Sequence, residues 1–69
     1  MNKVRCTYVE EDMECHFTVG KEYACKVDLS ASDPNSMIVI GEDNEPWYAE
    51  RLDDNNVSLL GIFVKFEFI

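Results

Sequence analysis

Val4, Cys6 and Tyr8 alternate with Lys3, Arg5 and Thr7, and the same two-residue period returns further along the chain. Tyr23, Cys25 and Val27 stand against Ala24, Lys26 and Asp28. Ile62, Val64, Phe66 and Phe68 stand against Lys65 and Glu67, within a last strand expected over 61–69. A period of two puts one face of an extended chain into a core and the other into water. Met37-Ile38-Val39-Ile40 is instead a continuous, largely β-branched run, the pattern of a strand packed on both faces.

The segments between these runs read as turns. Glu10-Glu11-Asp12-Met13-Glu14 is a polar loop carrying four carboxylates. Residues 30–36 (SASDPNS) are small, polar and broken by proline. Gly41-Glu42-Asp43-Asn44-Glu45 turns the chain into Pro46-Trp47-Tyr48-Ala49, and Pro46 suits only the start or edge of that strand. Residues 50–56 are polar, with Leu52 the only large apolar side chain, and are expected to form a helical turn or an irregular loop. No heptad, repeat or low-complexity tract is present.

The expectation is about five short antiparallel strands in one domain of 69 residues. Strands this short must close on themselves or stack as two sheets. A small closed barrel is the economical solution, because closure removes exposed edges. So small a core is marginal, and each large apolar side chain counts.

Phe17-Thr18-Val19-Gly20-Lys21-Glu22-Tyr23 carries an apolar residue into a turn whose glycine can supply a positive φ. This F-T-x-G-K-x-Y word resembles one found in very small phage and prophage proteins that fold as SH3-like barrels. The likeness extends over most of residues 3–50, with Cys6 in a first strand and an acidic hairpin tip at Glu42–Asn44 before Trp47 and Tyr48. Asn44-Glu45-Pro46 departs from the Asp-Gly or Asn-Gly tip of many such proteins, which leaves the turn type open. The tail 55–69 is also longer and more apolar than theirs. The resemblance implies an SH3-like barrel and a phage or prophage setting; it implies no shared activity.

Charge is the strongest compositional bias. Fourteen acidic residues oppose six basic ones, a formal net charge of −8. Such a surface repels nucleic acid and anionic membrane. It either maintains solubility or attracts a basic protein surface, including one that normally grips DNA. No apolar run reaches the length of a membrane span or a signal peptide, so a cytoplasmic protein is expected, in a bacterial host cell if phage-encoded.

Three catalytic or ligand chemistries fail on spacing or surroundings. Cys6, Cys15, His16 and Cys25 could offer zinc three thiolates and an imidazole, but the close C-x₂₋₄-C spacing is missing. A Cys-His-Asp nucleophile needs an electropositive pocket, whereas the neighbourhood of Cys15 is acidic. Gly20, Gly41 and Gly61 form no phosphate-binding loop. No cofactor, no metal and no enzymatic activity are expected.

What is left is an acidic protein-binding surface. Its candidate residues are Glu10, Glu11, Asp12 and Glu14, then Glu42, Asp43 and Glu45, then Asp53 and Asp54. Loops of a barrel can converge at one end, with Trp47 or Tyr48 as an apolar anchor inside the acidic rim. Trp47 equally suits the core. The functional expectation is an inhibitor or adaptor that binds a host protein. The alternative is a homo-oligomerising structural barrel that associates through a sheet edge or a Phe63/Ile69 face.

Overall fold

A computed structural model describes residues 2–59 and 63–69. The described chain is all-β apart from one short 3₁₀ turn, Glu11–Met13. Its strands are β1 (Asn2–Val9), β2 (Glu22–Val27), β3 (Ser36–Ile40), β4 (Pro46–Arg51), β5 (Asn56–Leu59) and β6 (Val64–Phe68). Each pairs antiparallel with the next, and β6 pairs back onto β1, closing a barrel. This is the small SH3-like barrel expected from the sequence, with six strands instead of about five.

The additional strand is β5. Residues 50–56 form no helical turn: β4 continues to Arg51, a tight turn follows, and Asn56 already belongs to β5. Asp53 makes that turn. Its Oδ1 accepts the backbone N–H of Asn55 at 2.8 Å and of Asn56 at 2.9 Å. The expectation of a last strand beginning at residue 61 falls, for Gly61 and Ile62, outside the described residues; β6 is described from Val64.

Alternation predicts the interior well, with three corrections. Val27, expected on the inward face of β2 with Tyr23 and Cys25, is 48% exposed at the end of that strand. A β-bulge between Cys6 and Tyr8 shifts the register of β1 on β6, so that Cys6 pairs Phe66 while Tyr8 pairs Lys65. Parity reverses there, so Tyr8 faces solvent and Val9 turns toward the core. In β3, Met37 and Val39 are buried while Ile38 and Ile40 are half-buried on the outer wall. A closed barrel has one interior, so the second face of that strand is covered only by neighbouring wall side chains.

The core combines β-branched residues with an aromatic cluster. Phe17 packs edge-on against Tyr23 at 5.1 Å, Phe66 at 5.4 Å and Trp47 at 5.8 Å between ring centroids. Phe17 and Phe66 are essentially inaccessible. Truncating either to alanine costs about 3–5 kcal/mol, much of what a domain this small has in total.

Strand direction decides which loops share an end. β1 and β3 run the same way, so 10–21 and 41–45 lie at one end with Phe63, whose carbonyl accepts the Glu10 N–H at 2.8 Å. The loop 28–35, the turn 52–55, Asn2 and Ile69 lie at the other. Hydrogen bonds tie that second end together, from Arg51 N–H to the Asn35 carbonyl at 2.8 Å and from Phe68 N–H to the Asn55 carbonyl at 2.8 Å.

Candidate functional site

The F-T-x-G-K-x-Y word builds the first end. Thr18 to Lys21 is a turn closed by the Lys21 N–H on the Thr18 carbonyl at 3.1 Å. Gly20 sits at its third position with φ 88°, the requirement of a type II turn. The turn is held against β1 by Gly20 N–H to the Cys6 carbonyl at 2.8 Å and Cys6 N–H to the Lys21 carbonyl at 3.0 Å. Buried Tyr23 supports it from below, its hydroxyl oxygen accepting the Thr18 N–H at 2.7 Å.

The β3–β4 tip docks onto this platform. Asn44 N–H bonds the Gly41 carbonyl at 3.0 Å, and Asn44 itself takes φ 64°. This is a four-residue turn whose last residue is left-handed, a conformation asparagine tolerates better than most side chains. It resolves the turn that Asn44-Glu45-Pro46 left open. Glu42 then latches the two loops: one carboxylate oxygen accepts the Lys21 ammonium at 2.9 Å and the other the Thr18 hydroxyl at 2.9 Å. These contacts lower the Glu42 pKa, with the Lys21 hydrogen bond the largest cause, and raise that of Lys21 in turn.

Two of the three predicted acidic clusters therefore meet. Glu10, Glu11, Asp12, Glu14, Glu42, Asp43 and Glu45 belong to loops at one end. Half of the chain's fourteen carboxylates stand there against a single lysine, Lys21, which Glu42 already engages. The third cluster is elsewhere. Asp53 and Asp54 occupy the β4–β5 turn at the opposite end. Asp53 is spent on the turn, and its contacts with Asn55 and Asn56 lower its pKa. Asp54 pairs with Arg51 at 3.2 Å.

The two expected anchors also separate. Trp47 faces inward beside Phe17 and lies 4.9 Å from the His16 ring, forming the floor beneath the acidic loops. Its indole N–H is buried and has no partner among the described residues. Tyr48 points to the opposite face of β4 and is 69% exposed on the barrel wall, outside the acidic rim. Among the described residues, the large apolar side chains exposed at this end are Val19 and Phe63. A recess of about 350 Å³ there is lined by Val9, Glu14, Phe17, Thr18 and Val19.

Sequence reasoning missed Thr18, Lys21, His16 and Gly41 as parts of this end. Polar residues inside a turn word give no signal of a cross-loop contact. Lys21 and Glu42 stand 21 residues apart in sequence and meet only once the barrel forms.

Cys6 and Cys25 are buried and Cys15 is exposed. Burial raises the Cys6 thiol and pushes Cys25 up to about 11. Such thiols are poor nucleophiles at neutral pH. Among the described residues, no group of three His, Cys, Asp or Glu side chains is placed to hold a metal ion, and no helix is long and apolar enough to cross a membrane.

The fold and this end define a small closed antiparallel barrel with a strongly acidic pole. No protein-family model, curated protein or solved structure matches the chain.

Proposed function

We propose that the protein is a small binding module of the phage and prophage accessory kind, which docks its acidic pole on a basic surface of a host protein. It acts without catalysis, as an inhibitor or adaptor in the host cytoplasm. A surface that normally grips nucleic acid is the partner chemistry this pole suits, because both present dense negative charge. One observation carries the reading: the loops 10–21 and 41–45 gather seven carboxylates at one end, latched together by Glu42.

The arrangement favours encounter with a basic partner. Charges gathered within about one Debye length act together, and the attraction speeds association more than it deepens affinity. Val19 and the recess beside it supply an apolar spot within the acidic surroundings.

The test is capture from a bacterial lysate at low salt, with the wild-type chain and a Glu10→Lys, Glu11→Lys, Asp12→Lys variant. The wild type should retain a basic protein that the triple variant loses, and the complex should weaken as salt rises. A partner held equally by both, or no partner at low salt, would refute the acidic-pole reading.

A further inference from the structure

The recess at the acidic pole is mostly apolar, although carboxylates surround it. It opens where the end of β1 meets the F-T-x-G-K-x-Y turn, and Val9, Glu14, Phe17, Thr18 and Val19 line it. Val9 reaches it because the bulge in β1 reverses parity beyond Cys6. Val9 is half-buried and packs against the core. Phe17 is essentially inaccessible and closes the floor, while Val19 is exposed in the turn that Gly20 shapes.

Two of the five lining side chains are polar. Thr18 is already satisfied: its hydroxyl donates to Glu42, its N–H donates to the Tyr23 hydroxyl oxygen, and its carbonyl accepts the Lys21 N–H. Glu14 is exposed, and among the described residues its carboxylate has no ion-pair partner. The lysine of this pole, Lys21, is held by Glu42 instead. The recess therefore presents three apolar side chains and one open carboxylate, at an end that gathers seven carboxylates.

That combination selects an occupant. A wholly apolar side chain would gain nothing from Glu14, and a compact cation would gain nothing from Val9 and Val19. A long cationic side chain uses both, laying its methylene stem on apolar surface while its charged head stays at the wet rim. Of the two residues of that kind, arginine fits better. Its guanidinium is planar and weakly hydrated and gives a carboxylate two parallel hydrogen bonds, whereas the lysine ammonium is a strongly hydrated point charge. The surfaces expected from the sequence to join copies of the chain are not formed. Phe63 and Ile69 sit at opposite ends of β6, and the closed barrel has no free sheet edge.

We propose that a partner's arginine docks in this recess, its stem on Val9 and Val19 and its guanidinium on the Glu14 carboxylate; this rests on the acidic-pole reading and narrows the partner to a basic segment with an exposed arginine. The seven carboxylates draw in any basic segment, and the recess decides which residue of it seats.

Three peptides of the form Lys-Gly-X-Gly-Lys, with X arginine, lysine or citrulline, test this when titrated at low salt into the isotopically labelled protein. Arginine and lysine carry the same charge, so the diffuse field of the pole cannot separate them. The arginine peptide should bind with a Kd on the order of 1 mM. It should bind about three- to ten-fold more tightly than the other two, with amide shifts centred on Val9, Glu14 and residues 17–19. Glu14→Gln and Val19→Ser, both at exposed positions, should erase the preference for arginine over lysine. Glu11→Gln removes the same charge from the same pole but does not line the recess. It should weaken the arginine and lysine peptides alike, by less than about two-fold, and keep the preference. Equal binding of arginine and lysine by the wild type, citrulline binding as tightly as arginine, or a preference that survives Glu14→Gln would each overturn the arginine site while leaving the acidic-pole reading intact. Failure of all three peptides to bind would overturn both.

Discussion

Replacing Gly41 with alanine should destabilise the barrel through one contact. A Cβ built there would lie 2.8 Å from Trp47 Nε1 and 3.1 Å from Trp47 Cδ1. The indole would have to retreat to a separation of roughly 3.5 Å, since closer approach is repulsive. It has little freedom to do so, being packed against Phe17 and His16. Overpacking of this kind costs about 1–3 kcal/mol. The stiffer unfolded chain of the alanine variant returns about 0.4–1 kcal/mol. The net expectation is a loss of about 1.3 kcal/mol at mid-range and at most about 2.6 kcal/mol, and the mid-range value lowers the Tm of a domain this size by roughly 5–10 °C. Thermal unfolding followed by circular dichroism measures it. A double-mutant cycle isolates the cause: in a Trp47→Phe background the closer clashing atom, Nε1, is gone while a ring Cδ1 remains, and the two changes should couple by about 1 kcal/mol. An unchanged or raised Tm for Gly41→Ala, or strict additivity with Trp47→Phe, would refute this account of how the tip is seated.

Other outcomes follow from the same contacts. Tyr23→Phe removes the acceptor of the Thr18 N–H and should cost about 1–2 kcal/mol in urea unfolding, with the loops 17–21 showing the largest loss of amide protection. A thiol reagent should label Cys15 quickly and Cys6 and Cys25 only as fast as the chain unfolds, which counting labels against time will show. Glu42 and Asp53 have pKa values lowered by folding, so they stabilise the fold above the ordinary carboxylate range. That contribution should fade as pH falls through their folded values, and Glu42→Gln should flatten part of the acid limb of the stability curve.

Much of this barrel was legible because alternation is a local signal. Val4, Cys6, Tyr23, Cys25, Val64 and Phe66 all point inward as their spacing demands. Tyr8 escaped because a bulge is a property of two strands together, and one strand's pattern cannot show it. β5 escaped because Asn56-Val57-Ser58-Leu59 is short and follows a polar turn, and because Ser58 is buried despite its polarity. The acidic end was half legible. Charge runs in the sequence located the clusters, but strand direction decides which of them meet. An even number of strands between two loops puts them together; an odd number sends Asp53 and Asp54 to the far end. Asp53 also shows why a carboxylate in a charge run need not be a binding residue. The backbone N–H groups of Asn55 and Asn56 already occupy it.

The most direct test of the acidic pole is to titrate the isotopically labelled protein with a short lysine- and arginine-rich peptide and follow its amide resonances. The account predicts shifts concentrated in residues 10–19 and 41–45, fading as salt is raised past about 0.15 M. Shifts centred instead on the Tyr48 wall or the Leu29 end, or an equal response from the Glu10→Lys, Glu11→Lys, Asp12→Lys variant, would contradict it.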